Sequence, residues 1–183
     1  MRHSRMIVAL IVANAAAVAV ADPPCFRALG SFRPGLEDPT QVAGVSGDGR
    51  MVVGNTYSGE GRRWVNGEWL PEGLGLTALG VSGDGRSVVG YITTGGCGTP
   101  AARWTARIGA MPLVRYDAGG SHPILARAAS ADGLIIVGDD ASAFRWDPIG
   151  GAELLGTLPG DDSSVAASVS ADGSVVVGES GQL

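Results

Sequence analysis

The sequence predicts an all-β protein built from repeated four-stranded units, and three observations support this fold class. First, the decapeptide VSGDGRMVVG at 45–54 returns as VSGDGRSVVG at 81–90, and two degenerate copies follow at 129–138 and 169–178. Second, the Asp-Gly pairs of these copies lie 36, 48 and 40 residues apart, and a spacing near 40 is typical of stacked or circular repeat proteins. Third, short β-branched runs alternate with turn residues, and no stretch after the N-terminus has helical periodicity.

The N-terminus has the pattern of an export signal. Arg2 and Arg5 form a positive region, residues 6–20 are apolar apart from one asparagine, and Ala19-Val20-Ala21 is a small-x-small cleavage site. The apolar run is shorter than the roughly 20 residues that a spanning helix needs. We therefore predict a signal peptide over 1–21. The mature protein is then exported to the extracellular space, the cell surface or the periplasm, and has no membrane contact after cleavage.

The rest of the chain, 22–183, is predicted to form one β-repeat domain whose units begin near residues 42, 78, 126 and 166. Each unit opens with a hairpin, because Ser-x-Asp-Gly joins two apolar runs and Asp-Gly tolerates the positive φ values of a two-residue turn. The Ser and Asp side chains are expected to bond turn amides. These structural turn residues are Ser46, Asp48, Gly49, Ser82, Asp84, Gly85, Ser130, Asp132, Gly133, Ser170, Asp172 and Gly173.

The second strand of each hairpin ends in a β-branched pair followed by glycine. Such a run does not alternate between apolar and polar residues, which indicates a strand buried on both faces. The closing glycine, at Gly54, Gly90, Gly138 and Gly178, indicates a bend or a close approach of another backbone.

An Arg-Trp pair follows the hairpin in the first three units and is predicted to lie on the third strand. The pairs are Arg63-Trp64, Arg103-Trp104 and Arg145-Trp146, and a leucine-rich segment after each one supplies the fourth strand. Four short strands in about 40 residues match the content of a β-propeller blade. Each Trp is expected in the core, with its preceding Arg stacked on it or bonded to a carboxylate. The alternative is that the repeated Trp side chains together form a ring of aromatic residues that binds sugar. Trp69 lies outside the repeat pattern and is the candidate for an exposed, ligand-facing aromatic.

The fourth unit has its hairpin and ends without an Arg-Trp pair, so the architecture is expected to be incomplete. The segment 26–35 resembles the end of a unit and is a candidate for the outer strand of that last blade. Two expectations follow: the chain is a fragment of a larger secreted or outer-membrane protein, or it associates with itself through an open β edge.

These motifs resemble the HAF family of bacterial extracellular repeats. Units of that family look like Val-Ser-x-Asp-Gly-x-Val-Val-Val-Gly, then Ala-Phe-Arg-Trp, then Leu-Gly-x-Leu-Pro-Gly-Gly. The third unit here fits best, with Ser130, Asp132 and Gly133, then 143–146, then 155–160, whereas the second unit lacks the Phe and the leucine motif. The resemblance covers roughly 26–183. It implies an exported β-rich repeat protein and gives no catalytic residue.

Individual candidates for chemistry are weak. The turn aspartates could contact calcium or a glycan, but calcium needs six to eight oxygens and each turn offers one carboxylate. The pairs at 139–140 and 161–162 are expected in solvated turns, and His122 in an ordinary surface loop. Cys25 and Cys97 could form a disulfide in an exported protein or stay as thiols. No metal or cofactor is expected.

The sequence therefore predicts a non-catalytic surface or interaction module. The alternative is a carbohydrate-active enzyme or glycan-binding propeller. A glycan or another protein is the expected partner. Nucleic acid is excluded because the net charge is −5 and no strongly basic surface is available.

Overall fold

The computed structural model describes residues 9–10, 27–30, 41–92, 99–113 and 124–182 of the 183-residue chain. Within these ranges all regular structure is β-strand. The described residues include no helix long and apolar enough to cross a membrane.

Three four-stranded antiparallel sheets follow one another along the chain, and in each sheet consecutive strands are neighbours. Antiparallel neighbours need only short connections, which agrees with the turn residues that separate the strands. Unit 1 contains β3 (Gln41–Val45), β4 (Met51–Asn55), β5 (Gly61–Val65) and β6 (Glu68–Trp69). Unit 2 contains β7 (Thr77–Val81), β8 (Ser87–Tyr91), β9 (Ala101–Thr105) and β10 (Gly109–Pro112). Unit 3 contains β11 (Leu125–Ala129), β12 (Ile136–Asp140), β13 (Ser142–Asp147) and β14 (Gly151–Gly156).

Unit 4 is a two-stranded sheet of β15 (Ser163–Val169) and β16 (Val176–Gly181). The predicted strand order, with the hairpin first, Arg-Trp third and the leucine segment fourth, is confirmed for units 1 to 3. In unit 1 the fourth strand stops at Trp69, and the following Leu74 and Leu76 are buried between units 1 and 2.

The segment before unit 1 takes a different place from the one expected. β1 (Ala9–Leu10) pairs with β2 (Arg27–Ala28), and Leu29 packs on Val52 and Trp64 of unit 1. The described part of 26–35 therefore lies against unit 1 and does not complete unit 4, because its apolar side chain covers the face of unit 1 that no other unit covers.

A β-bulge at the same place in every unit explains why each second strand has a glycine after its β-branched pair. The register slips by one residue in the first strand, for example between Ala78 and Gly80 opposite Val89 and Gly90. A bulge of this kind bends the strand that contains it and increases its local twist. A Cβ on Gly90 would overlap the carbonyl oxygen of Thr77, and equivalent overlaps with the preceding strand occur at Gly138 and Gly178. A side chain at this position is therefore incompatible with the bulged pairing.

The core consists of apolar layers between successive units. Adjacent β-branched residues on the second strand point to opposite faces, so one enters the layer before the unit and the other the layer after it. Val53 of unit 1 packs with Val88 and Trp104 of unit 2, while Val89 packs with Ile136 of unit 3. This confirms the prediction that these strands are buried on both faces in units 1 to 3. In unit 4 the outer face is uncovered within the described chain, so Val175 and Val177 are each 56% exposed.

Candidate functional site

The four Ser-x-Asp-Gly turns share one hydrogen-bond pattern. In each, an Asp Oδ1 accepts the Ser hydroxyl at 2.6–2.7 Å and the backbone N–H two residues further on at 2.9–3.0 Å. The Ser Oγ in turn accepts the N–H five residues further on, as from Met51 to Ser46 at 3.0 Å. Each Ser-Asp pair therefore supplies acceptors for turn amides that would otherwise lack partners.

The turn type differs from the predicted two-residue hairpin. The N–H of Ser46 donates to the carbonyl of Met51 at 2.9 Å, so four residues lie between this closing pair. Within that loop, the Gly49 N–H donates to the Ser46 carbonyl, and only Gly49 has a positive φ, at 71°. A four-residue loop leaves Asp48 outside the left-handed region, where its side chain can reach back to Ser46 and forward to Arg50.

The turns also bond to one another across the units. The N–H of Gly47 donates to the carbonyl of Gly83 at 2.8 Å, that of Asp84 to Ala131 at 2.7 Å, and that of Ala131 to Ala171 at 2.8 Å. A Cβ on Gly83 would lie 2.9 Å from the Cα of Ala131. The small residues in these turns are thus required by the contact between units, and we call this row of bonded turns the turn ladder.

Hydrogen bonding favours the ionised form of three turn carboxylates, those of Asp48, Asp132 and Asp172. The Ser46 hydroxyl and then the Arg50 N–H lower the pKa of Asp48, and the Ser130 hydroxyl and the Leu134 N–H do the same for the pKa of Asp132. In unit 4, bonds from Ser170 and Ser174 lower the pKa of Asp172 to about 2.

All these donors belong to the turns themselves. Among the described residues, no three His, Cys, Asp or Glu side chains are grouped to hold a metal ion.

The Arg-Trp pairs join neighbouring units. Arg and Trp are adjacent on one strand and so point to opposite faces, which places the Trp toward the preceding unit and the Arg toward the following one. The guanidinium of Arg63 lies over the ring of Trp104, 4.3 Å from its centroid. The expected stacking of Arg63 on its own Trp64 is therefore wrong, because both side chains cannot lie on the same face. Trp64 and Trp104 are buried, and Trp146 is half-buried.

The other two arginines bond to polar side chains. Arg103 donates to Ser87 Oγ at 3.0 Å, next to the turn of unit 3, where its charge also contributes to the lowered pKa of Asp132. Arg145 donates to Asp147 at 2.9 Å, in line with the alternative expectation of a carboxylate partner. Asp147 also accepts the N–H groups of Ile149 and Gly150, and these bonds lower its pKa.

Trp69 is less exposed than the sequence suggested. It is half-buried, lies opposite Trp64 in the β5–β6 pair and packs on Leu29 and Val52. Its Nε1 donates to the Gly30 carbonyl at 3.3 Å. These contacts occupy one side of the indole, so only part of the ring faces solvent, and ligand binding by Trp69 stays a prediction.

Asp139 also differs from expectation. It lies on β12, not in a solvated turn, and forms a salt bridge with Arg127, the bulge residue of β11. A sequence signal for the bulge in β11 could have identified this pair, because the bulge places Arg127 near Asp139. Asp162 is exposed in the connection before β15, as expected. Cys25, Cys97 and His122 lie outside the described residues.

Comparison with known proteins identifies the fold. No family model matches the chain, and no curated protein matches it. The structure is similar to the "putative TolB" from Agrobacterium tumefaciens, with a TM-score of 0.58 and 16% identity over 84% of this chain and 57% of that one. It is similar to TolB from Acinetobacter baumannii with a TM-score of 0.58 and 17% identity, over 77% of this chain and 37% of that one.

This chain therefore spans between about a third and somewhat more than half of the TolB chains that it matches. Those proteins are β-propellers, and this chain has the same kind of repeated four-stranded unit in an open arrangement. The predicted fold class, an all-β propeller-like repeat that is incomplete, is confirmed.

Proposed function

We propose that this chain is an exported, non-catalytic β-propeller-like module of the HAF repeat type that binds another protein. The observation that carries the proposal is the use of the repeated polar residues. In all four units the Ser hydroxyl and an Asp oxygen are committed to turn amides, and the turn ladder then links the units. The residues that repeat most faithfully thus build the scaffold.

The arginines of the Arg-Trp pairs also serve the scaffold. Arg63, Arg103 and Arg145 each contact a ring, a hydroxyl or a carboxylate of the scaffold. A rigid scaffold with repeated units and exposed strand edges is suited to binding an extended partner, as in other β-rich recognition modules. The fold likeness to TolB supports the propeller scaffold, while export is supported by the positive, apolar and Ala-x-Ala segments at the N-terminus.

Export is tested by expressing the full chain in a bacterium with an export pathway and measuring the mass of the product in each cell fraction. We expect cleavage between Ala21 and Asp22 and recovery outside the cytoplasm. Val12→Arg, which places a charge in the apolar run, is the control and should retain the uncleaved chain in the cytoplasm. Recovery of an exported product that still begins at Met1 contradicts the cleavage, and wild type left in the cytoplasm contradicts export.

The non-catalytic part is tested on the exported product. It is incubated with a panel of oligosaccharides and polysaccharides, and release of reducing ends is measured against a heat-denatured sample. We expect no release above that background. Hydrolysis that the native protein alone supports would replace our proposal by the carbohydrate-active enzyme.

A further inference from the structure

The connection between β5 and β6 is a two-residue hairpin turn, the type that the sequence predicted for the Asp-Gly pairs. Its residues Asn66 and Gly67 both have a positive φ, at 51° and 106°, and Val65 pairs with Glu68 on either side. Positive φ at both positions is the mark of a type I′ turn, for which Asn-Gly is a preferred sequence. Both turn residues are exposed. The chain therefore has one Asn-Gly pair in a turn that is built differently from the four Asp-Gly turns.

Asn-Gly and Asp-Gly pairs share an intrinsic reactivity, because glycine has no Cβ to hinder its backbone nitrogen from attacking the preceding side chain. At asparagine, the glycine nitrogen bonds to Cγ, the bond from Cγ to the side-chain nitrogen breaks, and that nitrogen leaves as ammonia with the glycine N–H proton. A succinimide ring remains, and water opens it. Cleavage of the ring bond to Cγ gives aspartate. Cleavage of the ring bond to the backbone carbonyl carbon gives isoaspartate, in which the main chain runs through the side chain.

The four Asp-Gly pairs are restrained against this reaction by the turns that contain them. In each turn the glycine N–H donates to the Ser carbonyl at 2.9–3.0 Å, and the Asp Oδ1 accepts the Ser hydroxyl and a backbone N–H. An attacking glycine nitrogen would have to give up its bond while the carboxylate left both of its donors. The turn ladder also bonds each turn to a neighbouring unit, so opening one turn disturbs two units.

The Asn66-Gly67 turn has none of these restraints. Among the described residues, neither the Asn66 side-chain amide nor the Gly67 N–H has a hydrogen-bond partner. Ring closure needs the turn to open briefly, and β6 is held to β5 by only two residue pairs, Val65 with Glu68 and Trp64 with Trp69. A short, exposed segment of this kind opens at a low free energy. The structure therefore leaves this one pair free to react.

The other asparagine of the described residues is protected by its bonds. The Asn55 amide nitrogen donates to the Ala78 carbonyl, and its amide oxygen accepts the Ala78 N–H, both at 2.8 Å. Thr56, which follows it, also has a branched side chain that hinders the attack. Asn55 is therefore an internal control for Asn66 within the same unit.

We propose that Asn66 is a site of spontaneous deamidation and isomerisation, and that its isoaspartate product releases β6 from β5. Isoaspartate adds a methylene group to the main chain, so the two-residue turn no longer closes and the N–H of residue 66 loses the Arg50 carbonyl, now at 3.3 Å. Trp69, which packs on Leu29 beside Trp64, then becomes exposed to solvent. The modification needs only water, and it goes beyond the proposed function because it depends neither on export nor on a partner.

Peptide mapping of the full chain tests the site. The chain is incubated at neutral pH, folded or in urea, and digested with trypsin, which places Asn66-Gly67 and Asp84-Gly85 on one peptide, 64–86. Mass spectrometry measures the replacement of the amide NH by O, and fragment ions distinguish isoaspartate from aspartate. We expect both products at residue 66 of the folded chain and none at residue 84 or Asn55. In urea, residue 84 should form isoaspartate about tenfold faster or more, because its turn is lost.

Tryptophan fluorescence tests the release of β6. In the incubated protein, emission should shift to longer wavelength and quenching by acrylamide should increase in proportion to the isoaspartate at residue 66. Trp69→Phe should remove most of this change. Asn66→Asp carries the new charge on an ordinary backbone and, when freshly prepared, should keep Trp69 covered, because aspartate tolerates positive φ.

Three results would overturn the proposal. One is a folded chain that keeps Asn66 intact over a period in which the chain in urea reacts completely. Another is isoaspartate at residue 66 without a change in Trp69 fluorescence. The third is fresh Asn66→Asp with Trp69 as exposed as in the incubated wild type, which would assign the release to charge. If either variant fails to fold, the peptide map and the fluorescence of the wild type still decide.

Discussion

Replacing Gly90 by alanine tests whether the bulged pairing, and not local flexibility, dictates the glycine in each unit. By intrinsic preference, glycine inside a strand is unfavourable by roughly 0.5–1 kcal/mol relative to alanine, so the substitution alone would stabilise the protein. The structure predicts the opposite sign. The new Cβ would lie 2.9 Å from the carbonyl carbon of Thr77, 3.2 Å from the Cα of Ala78, and in direct overlap with the Thr77 oxygen.

The cost follows from the displacement needed to remove the overlap. β7 and β8 must separate by about 1 Å, while a good N–H···O bond tolerates a range of only about 0.5 Å. Two or three ladder bonds near the bulge are then broken, at about 0.5–1.5 kcal/mol each, and more if a buried group is left unpaired. We therefore expect Gly90→Ala to lower the free energy of unfolding by about 2–4 kcal/mol.

Urea unfolding followed by tryptophan fluorescence measures this loss. The matched control is Gly181→Ala, since Gly181 is also a strand glycine without positive φ, and a Cβ there meets no atom within 4 Å. The control should be neutral or stabilising by up to about 1 kcal/mol. If Gly90→Ala is as stable as the wild type, the bulge can relax freely and our explanation of the repeated glycine is wrong.

Three further predictions concern the turns and the contact between units. Ser82→Ala should lower the free energy of unfolding by about 1–3 kcal/mol, because the buried N–H of Ser87 loses its acceptor; an unchanged urea midpoint would contradict this. A double-mutant cycle of Arg63→Gln and Trp104→Leu should give a coupling of about 0.5–2 kcal/mol, and zero coupling would mean that the stacked ring adds nothing. The pKa of Asp172 falls from 3.8 to about 2 on folding, so its ionised carboxylate stabilises the folded state. This contribution to stability is present above pH 3.8 and is lost as the pH falls through 2. Asp172→Asn should therefore weaken the dependence of the melting temperature on pH between these two values. An unchanged slope of melting temperature against pH would refute this assignment.

The fold was predictable from the sequence because its signals are local and repeated. The two polar residues that build each turn, such as Ser46 and Asp48, are only two positions apart in sequence, and the same is true in each unit. The strand order follows from short connections between antiparallel strands. The four-residue turn was not predicted, because Asp-Gly is compatible with several turn types. The register of the two paired strands determines which residues close the turn.

The contacts between units were not predictable in the same way. The bond from Gly47 to Gly83 depends on how two units stack, which no local pattern records. Strand alternation implies that Arg63 and Trp64 point to opposite faces. That Arg63 stacks on Trp104 was not predicted, because the two residues come from different repeats. Trp69 was expected to be exposed because it breaks the repeat, but its position opposite Trp64 draws it onto the same apolar cluster.

The turn ladder also explains how units of unequal length can belong to one scaffold. Successive turns are 36, 48 and 40 residues apart in sequence, yet in each case the backbone of one turn donates to the equivalent carbonyl of the next turn, at Gly83, Ala131 and Ala171. Because antiparallel strands alternate in direction, the strand ends at Asn55 and Gly61, and those at Tyr91 and Ala101, lie at the end of the sheets away from the turn ladder. Insertions at that end leave the alignment of the units unchanged. New loops can therefore be acquired there during evolution, or grafted there by design, while each turn tolerates almost no change in length.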